Sequence, residues 1–220
     1  MLAQLGLDTG GELGYLQNCL ASGYQLDQVV LVYCLNDIGD LVPEHNAAIG
    51  RVLAEAINKS GWLRRNSYFF NTLDHRWRVR RDPLIRGYYD PVRVMYRDGY
   101  YWEEQKQRLL VFRDLVQSNG GRLAVVTFPF LHAFGPQYDY RFVHQRLDAF
   151  WRDATVPHLD LLPVYDHLRP RQVTVNAFDA HPNEYANALA TPVIEKFVAD
   201  QLLASSTNAP RRQQSLAPHE

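Results

Sequence analysis

Asn36 and His181 are the two side chains of this 220-residue chain whose types and neighbours best suit chemistry at a carbonyl. Asn36 stands in the run Cys34-Leu35-Asn36-Asp37, directly after the apolar stretch Val29-Val30-Leu31-Val32-Tyr33. A side-chain amide at the end of a strand can donate to an oxyanion as it forms. His181 stands in Asp179-Ala180-His181-Pro182-Asn183, where a carboxylate precedes the imidazole by two residues. An imidazole steered by a carboxylate is the base half of nucleophilic acyl transfer. Neither run contains the nucleophile.

Both runs also have plainer uses. An Asn-Asp pair after a strand closes a turn or caps a helix, because each side chain bonds nearby backbone N–H groups. Asp179 to Glu184 reads equally as a helix start, with Pro182 at a first-turn position. What gives the pair more weight is where the surrounding elements put them.

Apolar spacing predicts a helix over 11–22, carrying Leu13, Leu16, Leu20 and Ala21 and stopped by Gly23. Residues 29–35 form a continuous apolar run, the pattern of a strand covered on both faces of a parallel sheet. A helix over 101–118 with a Gly120-Gly121 stop leads into a second such run, Leu123-Ala124-Val125-Val126-Thr127-Phe128. A helix from Tyr140 to Asp153 leads into a short strand over 158–162, and a last helix spans 183–203. Residues 205–220, rich in Ser, Gln, Pro and Arg, are expected to be a disordered tail. Alternation of strand and helix implies right-handed parallel crossovers, hence a three-layer α/β/α sandwich with strands at 28–35, 122–128 and 158–162 as parallel neighbours. In open sheets of this kind ligands sit beyond the carboxyl ends of the strands. Asn36 is just past one such end, and His181 is expected on the loop before the last helix, on the same rim.

In order and content these motifs resemble the SGNH, or GDSL, hydrolases, whose blocks carry a nucleophilic Ser, an oxyanion Gly, an oxyanion Asn and an Asp/His pair. Asn36 matches the Asn block, Asp179 and His181 match the last block, and Leu5-Gly6-Leu7-Asp8-Thr9-Gly10-Gly11 is similar to the Gly block, although Gly6 reads equally as a plain loop glycine. The family often places its Asp three residues before the His, and here the interval is two. The resemblance implies a flavodoxin-like parallel sheet over residues 1–204 and hydrolysis of an acyl or O-acetyl ester of a small molecule or carbohydrate, with no cofactor. It also implies the roles: His181 as base, Asp179 as its orienting partner, Asn36 and the Gly6 N–H as oxyanion donors. The Ser block is expected well upstream of Gly6, where five residues stand, so the N-terminal strand or strands of the sheet are expected to be missing. Ser22, Ser60, Ser67 and Ser118 are poor replacements, since none lies in a Gly-Asp-Ser context. The family alternatives are an ester hydrolase lacking its nucleophile segment and a degenerate member kept for binding. A nucleotide-binding domain of similar topology is disfavoured, because no Gly-rich phosphate loop follows a strand.

Composition sets the remaining bounds. With 46% hydrophobic residues the chain can bury a sizeable core. Twenty-three basic residues against 24 acidic ones give a net charge of −1, which provides no whole-surface field for nucleic acid or an anionic membrane. No apolar run is long enough to suggest a membrane span, and no signal peptide is read at the start. That fits a cytoplasmic protein if the first Met is the true start, and leaves export or an anchor open otherwise. Cys19 and Cys34 are expected to be structural thiols rather than a disulfide, and no His or Cys spacing suggests a metal. Residues 38–100 exceed an ordinary connection and are expected to form a lid or wall. They hold Arg64, Arg65, Arg76, Arg78, Arg80 and Arg81, read as solvated helix faces, and an aromatic cluster around Tyr88, Tyr89, Tyr96, Tyr100, Tyr101 and Trp102, read chiefly as packing.

Overall fold

A computed structural model describes residues 7–42, 62, 66–81, 90–176 and 179–203. Gly6, Tyr88, Tyr89 and the tail expected over 205–220 lie outside the described residues.

Helix α1 spans Thr9–Ala21 and is capped by Asp8, whose side chain accepts from the Gly11 N–H at 2.9 Å. It ends where Gly23 takes a φ of +82°, a conformation open to glycine at little cost. Strand β1 (Gln28–Cys34) runs into a 3-10 turn, Leu35–Leu41. Helix α2 spans Tyr68–Arg81. Helices α3 (Asp90–Arg97) and α4 (Gly99–Ser118) precede β2 (Arg122–Phe128). Helix α5 (Arg141–Asp153) precedes β3 (His158–Asp160). Two one-turn helices follow, α6 (Leu162–Tyr165) and α7 (Pro170–Val173), then strands β4 (Thr174–Asn176) and β5 (Asp179–Pro182), and finally α8 (Glu184–Val198).

The fold is mixed α/β, built on a parallel sheet of order β1-β2-β3. Gln28 pairs with Arg122 and Cys34 with Phe128, so the carboxyl ends of β1 and β2 are level. β2 is covered on both sides. Leu123 and Val125 join a core with Leu16 of α1, Leu109 and Phe112 of α4, and Leu147 and Trp151 of α5. Val126 joins a second core with Tyr165 and with Ala186 and Ala190 of α8.

Two features depart from the sequence reading. β1 was expected to be covered on both faces, yet Leu31 and Tyr33 are buried while Val30 and Val32 are exposed. Among the described residues β1 is the sheet's edge, and none of the helices that cover its inner face reaches the outer one. His181 does not lie on a loop: it belongs to β5, which pairs antiparallel with β4 in a separate two-stranded hairpin.

Candidate active site

The turn after β1 is built to hold Asn36. Leu35 and Ile38 are fully buried, which contributes roughly 2 kcal/mol each from water exclusion. Between them Asp37 is buried and its Oδ2 accepts from the Cys34 N–H at 2.7 Å, closing the turn onto the strand end. Asn36 alone of residues 35–39 keeps solvent access, and no described hydrogen bond engages its amide. The buried turn thus fixes the Asn36 backbone and leaves its side-chain amide at the solvent boundary.

Below that turn lies an acidic layer shared with the start of α1. Asp40 accepts from the Gly10 N–H at 2.8 Å and is gripped by both guanidinium nitrogens of Arg108, the Nη1 contact being 2.7 Å. This ties the residues that resemble the Gly block to the Asn36 turn. A Cβ on Gly10 would stand 2.5 Å from Arg108 Nη2 and 2.8 Å from Asp40 Oδ2, so a side chain here would have to push this ion pair aside. Glu12 comes next on α1, and its Oε2 has no hydrogen-bond partner among the described residues. Burial first, then the charges of Asp8 and Asp40, push its carboxyl up to about 8. Asp37 is likewise held well above the usual carboxylate range, by burial and then by Glu12. Burial, with Asp37 beside it, pushes the Cys34 thiol up to about 12, so Cys34 is a protonated, free thiol and no nucleophile. Cys19 is also a free thiol.

A buried polar chain locks these elements together. The Gln105 amide on α4 donates to Thr9 Oγ1 at 2.7 Å and to the Tyr33 hydroxyl at 3.0 Å, and that hydroxyl bonds the Tyr96 hydroxyl on α3. The chain links α1, β1, α3 and α4, so the donors at the end of β1 rest on four elements at once. Of the aromatic cluster, Tyr96 and Trp102 are buried packing residues, as expected, and Tyr100 is exposed.

Among the described residues four histidines lie beside aspartates; His167 Nδ1 stands 4.0 Å from Asp166 Oδ1, too far for a hydrogen bond, and the surroundings of the other three separate them. His144 is buried, with Nδ1 on Asp160 at 2.8 Å and Nε2 on the Tyr138 hydroxyl at 3.2 Å. The same Tyr138 oxygen accepts from the Phe130 N–H, so this pair braces the segment that leaves β2. His158 has Nδ1 on Asp148 at 2.8 Å and Nε2 on Thr127 Oγ1 at 2.9 Å, and burial lowers its pKa despite that carboxylate. In both rings each nitrogen is taken. His181 differs: Nδ1 lies 2.6 Å from Asp179 Oδ1, its ring is 87% exposed, and no described group occupies Nε2.

That third pair has a local cause. In an extended strand, residues two apart point to the same face, so β5 aligns Asp179 with His181 at the interval the sequence provides. Asp179 Oδ1 also accepts the His181 N–H at 3.1 Å. These backbone and ring bonds hold the Asp179 carboxyl below its ordinary range, so it is an ionised acceptor. Nδ1–H is therefore the donor to this carboxylate. Asn183 then fixes the hairpin to α8, accepting from the Ala186 N–H at 2.9 Å and donating to Gln172 O at 2.9 Å and Thr174 O at 3.1 Å. The helix start read in this run therefore belongs to Asn183 and Glu184, while Pro182 stays in the strand.

Asp179 and His181 are thus brought together. β5 packs against the short turn Leu131–Ala133, which directly follows the carboxyl end of β2. Asn36 directly follows the level carboxyl end of β1, so both groups extend from the same end of the sheet. The Arg108–Asp40–Gly10 clamp and the carboxylate pair Glu12 and Asp37 escaped sequence reasoning, since nothing in their spacing joins an arginine on α4 to a turn 68 residues earlier. No group of His, Cys, Asp and Glu among the described residues could hold a metal ion. No described helix is long and apolar enough to cross a membrane.

These features define an α/β protein with a parallel sheet, at whose carboxyl end stand an Asn side chain and an Asp-His pair with one unoccupied ring nitrogen. Against known proteins, the chain matches no family model, no curated protein and no solved structure.

Proposed function

We propose that this chain carries the base and oxyanion half of an SGNH-type serine ester hydrolase acting on an acyl or O-acetyl ester, within a three-layer α/β/α sandwich of flavodoxin-like topology. The observation that carries it is the contrast among the His-Asp pairs: among the described residues His181 alone combines an exposed ring and an unoccupied Nε2 with an Nδ1 hydrogen-bonded to a carboxylate, that of Asp179. In the proposed mechanism His181 Nε2 takes the proton of an attacking Ser hydroxyl and later returns it to the leaving alcohol, and Asp179 stabilises the imidazolium between those steps. The Asn36 amide and the Gly6 N–H receive the carbonyl oxygen as it becomes tetrahedral. Water then repeats the attack on the acyl-enzyme, again with His181 as base. In this reading the nucleophile is the Ser of a Gly-Asp-Ser segment, a context that no serine of this sequence occupies. Among the described residues the outer edge of β1 pairs with no strand, which supports a further strand at that position.

A second reading, a degenerate SGNH-fold binding protein, is favoured by the lack of any Ser in a Gly-Asp-Ser context. One assay separates the two: hydrolysis of a chromogenic acetyl ester by the 220-residue chain, by the chain with a Gly-Asp-Ser strand supplied ahead of residue 1, and by that longer chain carrying His181→Ala. Essentially no turnover is expected from the first. The second should be active. The third should lose about a thousandfold or more. Robust turnover by the 220-residue chain that survives His181→Ala overturns the mechanism. An inactive longer chain favours binding.

A further inference from the structure

The first backbone donors of α1 are capped from two places. Asp8 accepts from the Gly11 N–H at 2.9 Å, and Asp40, in the turn that carries Asn36, accepts from the Gly10 N–H at 2.8 Å. No carbonyl of the helix itself can satisfy N–H groups at these positions. Arg108 of α4 holds the second cap in place. Its two terminal nitrogens bond the two Asp40 oxygens, and the ion pair is sheltered, its side chains 19% and 12% exposed. A planar guanidinium bound in this way fixes direction as well as distance. The clamp also offsets an excess of negative charge. Asp8, Glu12, Asp37 and Asp40 gather where α1 meets the turn: burial first, then Asp8 and Asp40, raises the Glu12 carboxyl, and burial first, then Glu12, raises that of Asp37. Arg108 is a cation at this junction, its charge stabilised chiefly by Asp40. With Arg108 removed, Asp40 is left beside like charges, which push the turn away from α1.

We propose that Arg108 is a positioning residue of the candidate site: through Asp40 it sets where the Asn36 amide stands relative to the start of α1, the segment that resembles the Gly block. The use of that position rests on the ester-hydrolase reading; the position itself rests on the clamp. The Gln105 chain already locks α1, β1 and α4 together, so Arg108 joins the Asn36 turn to a frame that does not move with it. Asn36 and Asp40 belong to one 3-10 turn seated on the fully buried Leu35 and Ile38, so a shift at Asp40 passes on to Asn36. Such a shift matters at an oxyanion donor, because a misplacement of about 1 Å costs on the order of a hundredfold in rate. Arg122 makes a comparable anchor elsewhere. It donates to the carbonyls of Gln201 and Leu202 at the amino ends of β1 and β2, the opposite end of the sheet from Asn36.

The test is NMR of the isotope-labelled full chain, first free and then titrated with methyl methylphosphonate, a small tetrahedral anion. Arg108→Ala should move the Gly10 N–H and Asn36 side-chain amide resonances in the free chain and weaken the phosphonate about tenfold, with the His181 ring resonances of the free chain unmoved. Adding Asp40→Asn to Arg108→Ala should restore most of both effects, since an amide oxygen still accepts from Gly10 and no longer repels Asp8 and Glu12. A merely structural loss is not repaired by removing a second charge. Arg122→Ala should lower the melting temperature and leave the Gly10 and Asn36 resonances in place. If Arg108→Ala does not fold, Arg108→Lys carries the test, because it keeps the charge and loses the fork. Gly10 and Asn36 resonances unmoved by either Arg108 variant, moved no more than in Arg122→Ala, or not restored by Asp40→Asn overturn the proposal. A wild-type chain that gives no phosphonate response overturns the ester-hydrolase reading instead, and the resonances of the free chain still decide the role of Arg108.

Discussion

Replacing Glu12 with glutamine converts the acidic layer beneath Asn36 into a pH-dependent difference in stability. Glu12 holds its proton up to about pH 8 in the folded chain, against an ordinary value of 4.5. A group whose folded pKa is raised contributes fully below its unfolded pKa and loses that contribution as pH climbs to the folded one. Between those limits the slope is about 1.4 kcal/mol per pH unit, a ceiling near 5 kcal/mol. The carboxyl keeps some contact with water, so roughly 2 kcal/mol is the expected size. Asp37 titrates in the same direction and is raised partly by Glu12, so removing the Glu12 charge also relieves its neighbour. Glutamine keeps the shape and never ionises. Urea unfolding of both proteins, followed by Trp fluorescence from about pH 5 to about pH 8, should show the variant gaining on the wild type by ~2 kcal/mol across that range. A constant difference, or one that moves in favour of wild type as pH rises, would refute the placement of Glu12 among buried carboxylates.

Gly10→Ala should lower stability by about 1–3 kcal/mol, read as a fall in melting temperature, because its Cβ displaces the Arg108–Asp40 pair that grips this backbone. Asn183→Ala should cost about 1–2 kcal/mol, since it removes the cap of α8 together with one bond to α7 and one to β4, and amide exchange should quicken selectively in β4 and β5. Tyr96→Phe should cost about 1 kcal/mol in urea unfolding, because the Tyr33 hydroxyl loses one partner but keeps the Gln105 amide.

Much of the α/β frame was legible because it rests on periodicity. The runs that became β1 and β2 are apolar and bounded by glycine stops, and Gly23 and Gly120 do adopt positive φ where the helices end. What an apolar run does not encode is whether each face finds a cover. Val30 and Val32 have the same character as Val125 and Val126 yet face outward, because coverage depends on where distant helices come to rest. The β4–β5 hairpin was invisible for a different reason: strands of three and four residues carry no readable alternation. The Asp179–His181 pair was legible as a pair of types, and the interval of two became intelligible once the segment proved extended. The clamp of Arg108 on Asp40 joins elements through tertiary packing and left no local mark.

The central claim is that Asn36 and His181 serve one carbonyl. Its most direct measurement is NMR titration of isotope-labelled protein with a small phosphonate monoester, a tetrahedral anion that imitates the reacting centre. The Asn36 side-chain amide and the His181 ring nitrogens should shift together along a single binding curve, and Asn36→Ala should weaken the response at His181. Shifts at one residue without the other, or two curves with unrelated affinities, would contradict a shared site.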